Sequence, residues 1–204
     1  MLLFLDLISP ISEFSIIEEN KLILNKKIIN NSNDKMSDCI FKIYNEIENK
    51  LNLSKHLKKI VITIGPGSYT SLRVGSAFAL GLNISLQVPI YPFSIKDIVD
   101  FKKLNNPNEK VVFYIISANE QNFICEINFN NKITYKKIDS NNFNLPKKID
   151  KLYYNYKRIN SVSKNLKQIR FSFLDELLVN NKVLIFNKNE KIKPIYISNN
   201  KVLN

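Results

Sequence analysis

Gly65, Gly67, Gly75 and Gly81 are the only glycines among 204 residues, and all lie within one run, Lys59 to Leu82, that reads KIVITIGPGSYTSLRVGSAFALGL. Glycine admits positive φ and close approach of other groups to the backbone. An apolar strand over Ile60–Ile64 that enters Gly65-Pro66-Gly67-Ser68 and then a helix points free N–H groups and the positive end of a helix dipole outward. That arrangement can bind a phosphate or a carboxylate. Ser68 would be the N-cap, and Arg73 is the sole charge between Ser68 and Leu86. The run is not a Walker A loop, because no Gly-Lys-[Ser/Thr] follows. It is not a nucleophile elbow, because Ser68 lacks the G-x-S-x-G frame. A tight strand-to-helix turn with close packing at Gly75 and Gly81 accounts for the same residues without a ligand.

Other residues offer less. His56 is the only histidine and has no partner near it in sequence, so a solvated loop position is expected. Glu18, Glu19, Asp34 and Asp38 show no spacing that selects a catalytic pair, and they are expected at the surface. No Ser/His/Asp or metal constellation supports a peptidase. The run Lys151-Leu-Tyr-Tyr-Asn-Tyr-Lys-Arg158 interleaves aromatic and basic residues. It reads either as an RNA-stacking surface or as a tyrosine-rich edge strand with solvated lysines. Cys39 and Cys125 have no C-x-x-C partner and read as small buried hydrophobes in a reducing compartment.

The elements that must position the glycine run follow from periodicity. Leu2–Ile8, Ile11–Glu18 and Leu22–Ile29 read as an antiparallel meander. Asn30–Asp34 is a turn cluster. Cys39, Ile40, Ile43, Tyr44, Ile47 and Leu51 then repeat at helical spacing, predicting a helix over about 35–53. A strand over Ile60–Ile64, a helix over Tyr69–Leu86 and a short strand over Val88–Tyr91 come next. Ser94 with Asp97 resembles a capping box that opens a helix to about Lys103. The polar, proline-containing stretch Lys102–Glu109 divides the chain into units of 1–104 and 105–204. The second unit again begins with three strands, Val111–Ser117, Phe123–Phe129 and Lys132–Ile138. After these come a strand over Leu152–Tyr156, a helix over Phe171–Val179 and an extended Pro194–Ile197. Two units that each start with three strands suggest a duplicated α/β architecture.

The Tyr69–Leu86 helix is apolar on every side, through Leu72, Val74, Ala77, Phe78, Ala79, Leu80, Leu82, Ile84 and Leu86. Such a helix must be covered all round. One face can meet the sheet, and another the 35–53 helix. Ser71, Gly75 and Ala79 at four-residue spacing permit a close helix approach, which favours an interaction surface. A fully internal helix fits equally well.

The formal charge of +12 attracts anionic partners such as tRNA weakly and in a salt-sensitive way. It is nearly all lysine, because Arg73, Arg158 and Arg170 are the only arginines. The N-terminal run has no basic leader and carries Asp6, and no apolar stretch reaches membrane-spanning length, so a cytoplasmic protein is expected.

Gly65-Pro-Gly-Ser-Tyr-Thr-Ser-Leu-Arg-Val-Gly75, followed by Ala79-Leu-Gly-Leu82 and Val88-Pro89, closely resembles the signature of the TsaB (YeaZ) family, G-P-G-S-[FY]-T-x-[LV]-R-[IV]-G. Pro194-Ile-Tyr-Ile197 resembles the family's P-x-Y-L. The resemblance implies an actin/Hsp70-like ATPase (ribonuclease H-like) fold, a duplicated βββαβα of two subdomains with the second degenerate. It implies a non-catalytic subunit, not an enzyme by itself, of the bacterial complex that adds threonylcarbamoyl to adenosine in tRNAs reading codons that begin with A. The implied partners are the catalytic subunit TsaD as a heterodimer and the ATPase TsaE in a ternary complex. tRNA is met through the complex, the chain alone can form a homodimer, and no membrane is involved. On that resemblance the TsaD-binding face comprises Cys39, Ile43, Ile47, Ser71, Val74, Gly75, Phe78 and Leu82. No cofactor is implied for the isolated chain, with ATP or ADP admitted only at the complex interface. Gly65, Gly67, Ser68 and Arg73 remain the anion or turn motif. The chain departs from the family at Asp6-Leu-Ile-Ser9, where I-D-T-[SA] is usual, and at Ser117–Ile124, where D-A-R-x-x-E-V-Y is common. The first departure makes nucleotide binding near Asp6 less credible. The alternative, an independent nucleotide-binding enzyme of the same fold, would need that site.

Overall fold

In the computed structural model, residues 1–28, 36–102, 109–127, 132–139, 145–146, 148–159, 163, 165–180, 191–198 and 201–203 are described. Asp34, the Asn30–Asp34 turn cluster and most of the Lys102–Glu109 stretch lie outside them.

Two five-stranded sheets repeat one topology. The first contains β1 (Leu2–Asp6), β2 (Ser12–Glu18), β3 (Lys21–Ile28), β4 (Lys59–Thr63) and β5 (Ile90–Phe93) in the order β3-β2-β1-β4-β5. β1–β2 and β2–β3 are antiparallel, whereas β1–β4 and β4–β5 are parallel. The second contains β6 (Val111–Ile116), β7 (Asn122–Ile127), β8 (Ile133–Ile138), β9 (Lys151–Tyr154) and β10 (Lys167–Arg170) in the order β8-β7-β6-β9-β10. Its pairings have the same senses at the same places. This is the duplicated α/β architecture that the sequence leads one to expect.

Each crossover of the first unit is helical. α1 (Met36–Leu51) and the single turn α2 (Leu53–His56) join β3 to β4, α3 (Tyr69–Leu86) joins β4 to β5, and α4 (Ile95–Phe101) follows β5. Ser94 opens α4 as a capping residue: its N–H and hydroxyl donate to the Asp97 carboxylate at 2.7 and 2.6 Å. The second unit keeps only α5 (Phe173–Asn180), the counterpart of α4; among the described residues no helix stands where α1 and α3 would repeat.

Strand alternation divides the core. Phe4 and Ile8 from the β1 segment, Val61 and Phe93 face Phe113, Ile115, Phe123 and Tyr153 of the other sheet, with α4 and α5 between them. Leu3, Leu5 and Leu7 point the other way, under α1 and α3. Both faces of β1 are therefore dry, which explains its unbroken apolar run. Lys102 at the end of α4 pairs with Glu176 of α5 and lies over the Tyr153 ring.

Gly75 fixes how α3 sits. A Cβ on Gly75 would stand 2.2 Å from Leu7 Cδ1 and 2.6 Å from its Cδ2, and Leu7 is fully buried. The helix rests on the β1–β2 turn at a distance only glycine allows. At 3.6 residues per turn, Gly81 then lies about 120° around the helix from Gly75, and a Cβ there would meet nothing within 4 Å. We expect Gly75→Ala to destabilise the chain by about 1–3 kcal/mol through overpacking. Gly81→Ala should stabilise it by up to about 1 kcal/mol. Urea midpoints measure both, and an unchanged midpoint for Gly75→Ala would contradict the Leu7 contact.

Candidate functional site

The residues expected to bind a partner separate into two groups. Cys39, Ile47, Ser71, Gly75, Phe78 and Leu82 are buried within the chain itself. Ile43 and Val74 are half-buried against the same core. The expected face is corrected accordingly: Ser71, Gly75 and Ala79 are buried within the chain, with Gly75 against Leu7 of the β1–β2 turn. Phe78 is the hub of an aromatic cluster, edge-on to Phe14, Phe41 and Tyr44 with ring centroids 5.5–5.7 Å apart. It locks α1 and α3 onto β2.

The stripe left outside is displaced around the helix. Ala77, Leu80, Gly81 and Ile84 are exposed on α3, with Leu80 at 44% and Ile84 at 77%. Phe41 of α1 joins them at 58%, one edge against Phe78 and the rest in solvent. The helix is therefore not sealed within one molecule. Periodicity showed that α3 is apolar all round but could not fix its rotation, because no polar stripe marks an outside. The sign that could have found the outer face is Gly81, a glycine inside a helix with nothing in its own chain to require it.

The Gly-Pro-Gly turn serves the chain's own tail. Gly65 has φ +118°, and a Cβ on it would lie 2.6 Å from the carbonyl oxygen of Ile195. Ile195 N–H donates to the Ile64 carbonyl at 2.6 Å. Tyr196, at the start of β11 (Tyr196–Ser198), packs on Tyr69 with ring centroids 4.7 Å apart. β11 pairs antiparallel with β12 (Lys201–Leu203). The Arg73 guanidinium lies 4.3 Å from the Tyr69 ring centroid, a cation–π contact. Gly67 and Ser68 are buried, with Gly67 against Ile8. Ser68 occupies the N-cap position, but its side chain makes no capping hydrogen bond. The expected anion cradle is thus a structural turn at Gly65 and a cation–aromatic stack at Arg73.

Asp6 is 2% exposed, and its carboxylate caps the turn that follows it. Ile8 N–H and Ser9 N–H donate to Oδ1 at 2.9 and 3.2 Å, and the Ser9 hydroxyl donates to Oδ2 at 2.5 Å. The Thr63 hydroxyl lies 3.4 Å from Oδ1 and accepts from Leu7 N–H at 2.8 Å. Both oxygens accept hydrogen bonds from within the chain, and the carboxylate is buried beneath its own turn. Among the described residues no group of three His, Cys, Asp or Glu side chains is placed to hold a metal ion. Burial raises the Asp6 pKa, and the hydrogen bonds from Ser9, Ile8 and Thr63 only partly oppose it.

The remaining candidates sort simply. His56 is exposed in α2, and its backbone carbonyl accepts from the terminal amine of Met1 at 2.9 Å. Glu18, Glu19 and Asp38 are exposed, and Cys39 and Cys125 are buried free thiols. β9 lies between β6 and β10, so Lys151–Tyr154 is an interior strand and not the expected edge. Tyr156, Lys157 and Arg158 leave it as an exposed loop.

The sign of the Asp6 titration gives a test. With a folded pKa above the unfolded value, the folded chain holds the proton longer, so stability falls as pH rises from the ordinary carboxylate value through the raised one. Asp6→Asn keeps the Oδ1 acceptor and cannot ionise. Its stability relative to the parent should therefore rise across that window, followed by urea denaturation from acid to neutral pH. A difference independent of pH would contradict the burial of an ionisable group at Asp6.

A family model described as TsaD, tRNA N6-adenosine threonylcarbamoyltransferase, matches residues 29–192. Curated tRNA N6-adenosine threonylcarbamoyltransferases from strains of Buchnera aphidicola subsp. Acyrthosiphon pisum are 32% identical over 76 residues. That match covers 34% of this chain and 23% of the relatives' length. The structure of YeaZ from Pseudomonas aeruginosa superposes with a TM-score of 0.59 at 15% identity, covering 96% of this chain and 99% of that one. A second structure, of an uncharacterized protein from Pseudomonas aeruginosa with similarity to peptidase YeaZ, agrees at 0.59 over 97% and 99%. The likeness to YeaZ shows the actin-like α/β fold at full length, in keeping with the resemblance of residues 65–75 to the TsaB (YeaZ) signature. No helix among the described residues is long and apolar enough to cross a membrane. The family match spans most of the chain, and the chain belongs to the TsaD-type tRNA N6-adenosine threonylcarbamoyltransferase family.

Proposed function

We propose that this chain is a non-catalytic scaffold subunit of the complex that adds threonylcarbamoyl to adenosine in tRNAs reading codons that begin with A. It docks on the catalytic subunit TsaD through the outer faces of α1 and α3. The observation that carries the reading is the apolar stripe of Phe41, Ala77, Leu80, Gly81 and Ile84, exposed although α3 is otherwise built as a core helix. Water-exposed apolar area of this kind favours association. Ala77 and Gly81, one turn apart, let a partner helix approach the backbone closely. A glycine kept in an exposed helix at a cost of about 1 kcal/mol points to the same use. The non-catalytic part is supported by Asp6, whose oxygens are spent on its own turn.

Within this reading TsaE joins at the junction of the two subunits, and any ATP or ADP sits at the complex interface. Isolated chains pair weakly through the same stripe. tRNA modification by TsaD from the same organism depends on the chain's presence.

Mixing with TsaD should give a one-to-one complex by size exclusion with light scattering. Ile84→Asp and Gly81→Arg should each weaken it at least about a hundredfold, because a charge would be desolvated without a partner. Both positions are exposed, so the melting transition of the isolated chain should persist. Undiminished complex formation by both variants would remove α3 as the docking face. Phe78→Asp is not a usable probe, since Phe78 is internal.

A further inference from the structure

The outer face of the second sheet carries a second assembly of groups, remote in sequence from α1 and α3. After β9 the chain turns out through Tyr156, Lys157 and Arg158 and returns to the core at Ile159, which is buried. Side-chain amides fix both ends of this loop. Asn155 accepts from Ile116 N–H at 2.9 Å and donates to the Ile116 carbonyl at 2.8 Å. Gln168 accepts from Ile159 N–H and donates to the Ile159 carbonyl, both at 3.1 Å. Three exposed residues are thus held between two backbone-mimicking clamps. Arg158 is further oriented by its Nε, which donates to the Tyr154 hydroxyl at 3.2 Å.

The loop borders a pocket of about 400 Å³, a size that suits a small planar ligand. Pro10, from the β1–β2 turn of the first unit, and Ile116 supply apolar wall. The opposite wall is polar and fixed: the Tyr114 hydroxyl donates to Asn122 Oδ1 at 3.0 Å, and Asn122 Nδ2 donates to the Glu120 carbonyl at 3.0 Å. Tyr156 lines the pocket and is 45% exposed, with the Lys157 Nζ over its ring at 5.5 Å from the centroid. Arg170 stands opposite Tyr154 in the β9–β10 register and is exposed. Two of the chain's three arginines therefore belong to this face.

We propose that this pocket holds one unpaired nucleotide of a single-stranded RNA. Tyr156 stacks on the base, and Lys157 and Arg158 neutralise the flanking phosphates. An exposed aromatic ring beside cations is the combination that binds single strands irrespective of sequence. Glu120 and Asn122 face the base edge, where a carboxylate accepts from an exocyclic amine. The cations stand on an exposed loop beside the pocket, where a backbone runs past, and the +12 charge draws in the strand. The choice of RNA rests on the tRNA-modification role proposed above; the site does not, and the isolated chain tests it without TsaD.

The test is fluorescence anisotropy with a labelled ten-nucleotide single-stranded RNA of mixed sequence, over a series of salt concentrations. Tyr156→Ala should weaken binding about tenfold, and Tyr156→Phe should restore it. Lys157→Gln and Arg158→Gln should each lower the slope of log affinity against log salt by about 0.7. Lys27→Gln, on the edge strand β3 of the first sheet, removes the same charge and should leave affinity within about twofold. Four results would overturn the proposal: undiminished binding by Tyr156→Ala, an equal loss in Lys27→Gln, displacement by AMP at the concentration at which the oligonucleotide competes, or equal competition by polyglutamate. Loss of TsaD docking with RNA binding intact would count against the scaffold role alone.

Discussion

Everything on the first unit's outer surface follows from one contact, Gly75 of α3 against Leu7 at the end of β1. A Cβ at Gly75 would overlap the Leu7 methyl groups, so any side chain there must displace the buried Leu7 or lift the helix from the sheet. That descent sets the rotation of α3. With Gly75 inward, Leu72, Ala79 and Leu82 follow it into the core, and Ala77, Leu80, Gly81 and Ile84 are turned out. One glycine is thus needed inside and another is superfluous outside, and the difference separates packing from docking.

The turn after β1 shows how an acid can change its use within a fold. Here Leu7 and Ile8 follow Asp6, and each is drawn to a different core. The carboxylate is left to collect the N–H groups and hydroxyl that this tight passage strands. A buried carboxyl group satisfied in this way holds a turn together. The tail does the same at the other half of the expected site, where Ile195 and Tyr196 cover Gly65 and Tyr69.

Much of this was legible in the sequence. α3 is found at the predicted Tyr69–Leu86, and the capping pair Ser94–Asp97 opens α4 as expected, because both signals are local. The strands of both meanders fall within two residues of their predicted ends. Three things were not legible. β10 has only Lys167–Arg170, too short and polar to show alternation, and the parallel pairing that makes it a strand is non-local. The rotation of α3 depends on Leu7, some seventy residues away, so Gly75 and Phe78 read as surface although they are core. Arg73 read as an anion ligand because the Tyr69 ring it lies over is itself packed by Tyr196, which comes from the far end of the chain.

Among the described residues the second unit repeats the sheet without the two helices that cover the first, and Leu145, Ile149, Ile159 and Leu166 pack on its outer face. The two units therefore present different outsides, a helical apolar one and a loop-built one bearing tyrosine and arginine. The central claim, that α3 presents a docking stripe for TsaD, is tested most directly by amide hydrogen exchange on the chain with and without TsaD. The account predicts new protection over residues 77–84 of α3 and around Phe41 of α1, with the β3 edge strand unchanged. Protection on the β3 edge or the second sheet, with α3 unaffected, would contradict it.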